Sequence, residues 1–442
     1  MVSWDHGASM REAVIAGVER RRDDWVGLIQ ELVQIPSIVG TEEVLGCQKL
    51  VKDAFTSLGL TVESWVPDAT ELRDRPGFVE PASRSVASPV VVGRRVGTGA
   101  GRSLVLNGHV DVVPINPARW SVPPWGATLV EDRLYGRGAL DMKAGIAAMI
   151  ASAWVLGDLG VKLSGDVVYA SVGDEEESGN HTLACIFRGY TGDGTLFLEP
   201  SPADMTLVPV RDPVMLISSR GAQFFRIVIH NPNDGGVEYQ HEVMNPVGGA
   251  AYLVRAIEAY AEMRESSVKH ALYANAPTKV PLAVCRITGG EWPSTITDEV
   301  TMEGTIECLP GEDLDEVKAA FERYLLRTAR GYQGLRESPP RLEWFGLRYD
   351  PAETDGTSDF VTTVASVVRG VTGLDPQITG GGGNDLRHTV LRGHSPSVIY
   401  GPGGGRIHST DEWVSLASVR DVIAAVVELC MAWCGPGSLS LQ

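Results

Sequence analysis

From residue 90 to residue 198 the chain alternates short, unbroken apolar runs with helix-forming stretches, and no other feature limits its fold as much. The runs at 90–92, 104–106, 166–170 and 195–198 read as strands buried on both faces. Between the second and third of them, the Ala-rich stretch at 143–156 reads as an apolar helix. Strands without a solvent face need helices above and below them, which predicts an α/β domain built on a mixed, mostly parallel sheet flanked by helices. Ahead of this region, 10–33 predicts one long helix ended by Ile35-Pro36, and 42–58 predicts a second that Gly59 stops.

Near Arg220 the rhythm changes. Residues 223–229 alternate like a half-exposed strand, 247–264 is helical, 283–287 and 301–308 are strand-like, 314–330 is helical, and 341–345 is a short strand. That βαββαβ order predicts a small α+β domain at residues 218–348, inserted between the two pieces of the larger domain, 1–217 and 349–442. In the second piece, 358–370 and 415–433 read as helices and 397–400 as a strand.

Charge removes some partners. The chain has 38 Lys and Arg against 56 Asp and Glu, a net of −18, which repels phosphate backbones and anionic lipid. Neither nucleic acid nor a membrane is therefore expected as a partner. No apolar leader opens the sequence, and the uncharged run 144–157 is shorter than the roughly 20 residues of a membrane span. Six scattered cysteines without a CxxC pair read as thiols of a reducing compartment, so a cytoplasmic location is expected.

Ligand-type side chains gather just beyond the predicted strands. His109 and Asp111 follow the run at 104–106, spaced so that Asp111 can hold the second imidazole nitrogen of a ligating histidine. Asp141, in Gly136-Arg137-Gly138-Ala139-Leu140-Asp141, stands at the mouth of the Ala-rich helix, where it is either an N-cap or a ligand. Gly173-Asp174-Glu175-Glu176-Glu177-Ser178-Gly179 follows the third strand as either a solvated acidic loop or a cation site. Glu199 follows the fourth strand, and His408 follows the strand at 397–400. Ligands in open α/β sheets collect at strand carboxyl ends, so the coincidence favours metal. Five ligands, His109, Asp141, Glu176, Glu199 and His408, exceed the needs of one catalytic zinc and suit two divalent ions bridged by Asp141. Glu175, beside a ligand, is placed to take a proton from water.

These segments, in this order, resemble the dinuclear metallohydrolases that include acetylornithine deacetylase, succinyl-diaminopimelate desuccinylase, aminoacylase and glutamate carboxypeptidase. The resemblance runs from Ile35-Pro36-Ser37 to the last helix and takes in Gly289-Gly290-Glu291-Trp292-Pro293-Ser294 of the insert. It implies a dimerising lid and a homodimer, two divalent metals (Zn²⁺, with Co²⁺ or Mn²⁺ as alternatives), and hydrolysis of an N-acyl or peptide amide of a small amino-acid-like substrate. Glu175 would be the general base and acid, with Asp111 assisting. Asn384 and Arg387 match a segment that, in the family, approaches a substrate carboxylate. One departure concerns the family's lid histidine: neither His230 nor His241 has its spacing, and His241 is the candidate. The competing readings are an amidase or deformylase acting on a non-amino-acid N-acyl amine, and a metal-binding scaffold without catalysis. A serine-hydrolase elbow is not supported at Gly393-His394-Ser395-Pro396-Ser397, nor a dinucleotide fingerprint at Gly97-Thr98-Gly99-Ala100-Gly101.

Overall fold

The structure, a computed structural model, describes residues 5–81, 86–202, 212–231, 237–239 and 244–435. His241 lies outside them. Strands in the first part of the chain are β1 (Thr61–Trp65), β2 (Val90–Arg95), β3 (Leu104–His109), β4 (Thr128–Val130), β5 (Arg133–Tyr135), β6 (Val167–Val172), β7 (Gly194–Phe197), β8 (Ser201–Pro202) and β9 (Val214–Ser219). Those that follow are β10 (Gly221–His230), β11 (Leu282–Gly289), β12 (Glu299–Cys308), β13 (Arg341–Tyr349), β14 (Ala352–Glu353), β15 (Gln377–Gly381), β16 (Ser397–Ile399), β17 (Gly403–Gly405) and β18 (Trp413–Ser415). The main helices are α1 (Asp5–Arg20), α2 (Arg22–Gln34), α3 (Glu43–Ser57), α4 (Ala144–Asp158), α5 (Asn180–Phe187), α6 (Pro246–Ser267), α7 (Leu314–Ala329), α8 (Asp359–Thr372), α9 (Leu386–Leu391) and α10 (Leu416–Cys434).

Two compact units result, Met1–Ser218 with Glu353–Gln442, and Ser219–Ala352. In the first, the central sheet runs β1-β2-β6-β3-β7-β16-β9-β14, with β15 paired to β9. Its middle is parallel: β3 with β6 and β7, and β7 with β16. All residues of β3 and β6 are buried, as their apolar runs require. Four parallel strands put four carboxyl ends on one rim, which is what positions the site. A smaller sheet, β4-β5-β18-β17-β8, belongs to the same unit.

The second unit is an antiparallel sheet, β11-β12-β10-β13, with α6 and α7 packed on one face. Phe225, Ile227 and Ile229 of β10 meet Leu253, Ile257, Phe321 and Leu325 of the helices there, the period of two in the strand meeting 3.6 in the helix. Strand and helix order is βαββαβ.

Three sequence expectations change. The helix expected at 10–33 is two, α1 and α2, broken at Arg21; there the Trp25 indole N–H donates to the Val18 carbonyl at 3.1 Å. Asp141 is no N-cap, because a five-residue turn with non-helical backbone at Asp141 and Met142 precedes α4 and Lys143 occupies the cap position. Counted with that turn, Ala139–Asp158 is 20 residues, long and apolar enough to cross a membrane by composition, yet 94% of its apolar window is buried inside the protein.

Candidate metal centre

The candidate ligands stand at or after strand ends, or, for Asp141, within the turn before α4. His109 is the last residue of β3, and Glu199 comes two residues after β7. Glu175 and Glu176 occupy the loop leaving β6. His408 lies in the segment after β17, in the left-handed region with φ 55°. Backbone of that kind is sparsely populated by residues with a side chain and persists only where the surroundings hold it.

The five converge around Asp141. Its Oδ1 lies 3.1 Å from His109 Nε2 and its Oδ2 3.0 Å from His408 Nε2, so one carboxylate faces two imidazoles from its two sides. Glu199 Oε1 is 3.4 Å from His109 Nε2, and Glu176 is 3.2 Å from His408 Nε2. This gives two half-sites that share Asp141. Glu175 Oε2 is farther from His109, at 4.0 Å. Nitrogen and carboxylate donors so grouped fit divalent transition metals. Arg387 and Asn384 are not among the side chains that meet around Asp141. The Arg387 side chain is 2% exposed and donates to Asn384 O at 2.8 Å, Asp385 Oδ1 at 3.1 Å and Ser178 O at 2.8 Å. His230, at the end of β10, is in the other unit.

The electrostatics are those of crowded carboxylates out of water. Burial, reinforced by Glu199 and Asp385, pushes Glu175 well above the usual carboxylate range. Burial also raises Glu199 to about 7, with Asp141 and Glu176 adding to it. Asp141 goes the other way: burial would raise it, but hydrogen bonds from His109 and His408 outweigh that and hold it low. For His408, burial is overcome by Asp141 and Glu176, which raise it to about 11. Protons on the histidines stand in for positive charge that the carboxylates require. A cation would supply the same charge, so the donor set fits metal.

The supporting residues do work that the sequence pattern does not show. Asp111 was expected to hold His109 through its carboxylate, but His109 Nδ1 is closer to the Asp111 carbonyl, 2.9 Å against 3.6 Å for Oδ1. The Asp111 carboxylate instead accepts the backbone N–H of Glu176 at 3.1 Å and of Glu175 at 3.4 Å, tying the acidic loop to β3. Asp174, first of the four acids, caps α5 by accepting from Asn180 N and His181 N. Glu412, fully buried, accepts from Leu140 N and Asp141 N. All three act through backbone amides, which no spacing rule encodes.

Comparison with known proteins agrees with this geometry. The pattern of peptidase family M20/M25/M40 matches residues 105–432. An N-formyl-4-amino-5-aminomethyl-2-methylpyrimidine deformylase of Halalkalibacterium halodurans is 25% identical, covering 96% of this chain and 98% of its own. A succinyl-diaminopimelate desuccinylase of Methylorubrum extorquens is 29% identical, covering 90% of this chain and 96% of its own. Among solved structures, a di-peptidase of Saccharomyces cerevisiae has the same fold, with a TM-score of 0.74, 15% identity and coverage of 96% of this chain and 98% of its own. With the match spanning most of its length, the chain belongs to peptidase family M20/M25/M40 and is a hydrolase of amide bonds.

Proposed function

We propose that two divalent cations, Zn²⁺ first among them and Co²⁺ or Mn²⁺ as alternatives, are held by His109, Asp141 and Glu199 on one side and by Asp141, Glu176 and His408 on the other. The observation that carries this is the Asp141 carboxylate, with one oxygen facing each histidine. Bound there, such ions polarise a carbonyl and acidify water. Glu175 takes the proton of the attacking water as the carbon–oxygen bond forms, and delivers it to the amine as the carbon–nitrogen bond breaks. Its burial, which raises the carboxyl above the usual carboxylate range, suits a group that must accept a proton as well as return it.

The substrate is a small N-acylated, amino-acid-like amine or a short peptide. A second reading, an N-formyl or other N-acyl amine without a carboxylate, is favoured by one observation. The Arg387 guanidinium, candidate for gripping a substrate carboxylate, is committed to protein acceptors. Free thiols at all six cysteines, five of them buried, support a cytoplasmic location. Exposed Ile287 and Trp292, on and just beyond the edge strand β11, support a homodimer through the inserted unit. Exhaustive chelation followed by assay against N-formyl, N-acetyl and N-succinyl amines and dipeptides tests the reading. Activity is expected to vanish and to return with Zn²⁺, Co²⁺ or Mn²⁺; full activity after chelation would sink it.

A further inference from the structure

Asp141 can bridge two cations only if its carboxylate is held at a fixed angle, and groups from outside the turn that carries it help to hold it. Its backbone is non-helical (φ −115°, ψ 96°), and the Leu140 and Asp141 amides lie ahead of α4 and outside its hydrogen bonding. Both donate instead to one oxygen, Glu412 Oε1, at 2.9 and 3.0 Å. The other oxygen, Oε2, pairs with Arg137 Nη1, and both side chains are buried. Arg137 Nη2 then donates at 3.2 Å to the carbonyl of Ser409, the residue after His408. Gly136 N donates to the Glu412 carbonyl at 2.9 Å, closing the connection.

A single buried ion pair thus grips the turn that bears Asp141 and the strained segment that bears His408. These are the two ligands of the half-site completed by Glu176. The pair makes no contact with the side-chain oxygens of Asp141 and leaves both of them to face the histidines. Resting on the two-cation reading above, we propose that Glu412 and Arg137 are positioning residues of the Asp141–His408 half-site. They fix the bridging carboxylate and His408 relative to one another, and so set how tightly the second cation is held.

The variants separate this from a merely structural role. Glu412→Gln keeps an acceptor oxygen for the two amides but turns an amide N–H₂ toward Arg137. Arg137→Lys keeps the charge but loses the fork that reaches both Glu412 and Ser409. Zn²⁺ uptake is measured in chelator-buffered titrations of the full chain, and the visible spectrum is recorded after loading with Co²⁺. Wild-type protein is expected to bind two equivalents. Each variant should hold the weaker ion about 10- to 100-fold less tightly and show an altered cobalt absorption band, a signature that loss of stability alone does not produce. If Glu412→Gln does not fold, Arg137→Lys decides. Variants that bind two ions with wild-type affinity and spectrum overturn the assignment. Wild-type protein that binds fewer than two overturns the two-cation reading itself, and this proposal with it.

Discussion

Glu175 and Glu176 are neighbours in sequence with different surroundings. Glu176 lies 3.2 Å from His408, whereas Glu175 faces burial and the negative charge of Glu199 and Asp385. Glu175→Gln is therefore expected to lower turnover by about 10²- to 10⁴-fold while both cations still bind; metal analysis showing one ion would mean the two glutamates have exchanged roles. Gly179, with φ 72°, starts α5 at the end of the same loop, and a Cβ there would collide with Asp385 Oδ1 and Arg387 Nη2. Gly179→Ala should pull the loop away from the Asp111 carboxylate and cut kcat, with a circular dichroism spectrum like that of the parent; unchanged kinetics would show that this loop's position does not govern turnover. The candidate ligands stood out in the sequence because each is a metal-type residue beside a buried apolar run, after a strand for most of them and ahead of the Ala-rich helix for Asp141. Glu412 did not stand out, and Arg387 stood out only for a different role, because the backbone groups they hold, Leu140 and Asp141 for Glu412 and Ser178 for Arg387, lie 272, 271 and 209 residues away. Their work is done on backbone groups, which look the same for every sequence.

In the inserted sheet, β10 was legible from its alternation, since a face that packs on helices must differ from one that does not, and the other three from their strand-forming composition. The open face carries an alternating row of charge across all four strands. Arg286 meets Glu303, Glu303 meets Arg226, Arg226 approaches Glu343, and Glu343 meets Arg341. Such pairs, part-buried at Glu303 and more open at Arg286 and Arg341, add little stability each and keep that face polar. What alternation could not show is the break at Arg21, where α1 and α2 share one apolar pattern and a single indole hydrogen bond marks the joint. At the start of α7, hydrogen bonds from Arg348 hold the Asp315 carboxyl down to about 2. A carboxyl depressed by folding stabilises the folded state above its unfolded pKa of about 3.9, and that help is lost as pH falls through the folded value. Arg348→Ala should return Asp315 toward its ordinary pKa and flatten the acid limb of the unit's stability curve. Carboxyl-carbon NMR titration checks this, and an unmoved Asp315 would refute it.

At the scale of the whole molecule, sedimentation should find a dimer, and Ile287→Lys with Trp292→Ser should yield a monomer; a monomeric parent would remove the dimer reading. The division of the chain has a further consequence, one of timing. In the central sheet β16 lies between β7 and β9, parallel to one and antiparallel to the other, although it comes long after both in the chain. A ribosome adding ~5–20 residues per second needs roughly 10–40 s to travel from Phe197 to Ser397. Throughout that interval the edge of β7 that will receive β16 stands open, while the acidic cluster has neither His408 nor the Arg137–Glu412 tie. On the two-cation reading proposed above, a nascent or truncated chain lacks one metal ligand and is also prone to edge pairing, so the last ninety residues both cover the open edge and complete the proposed site.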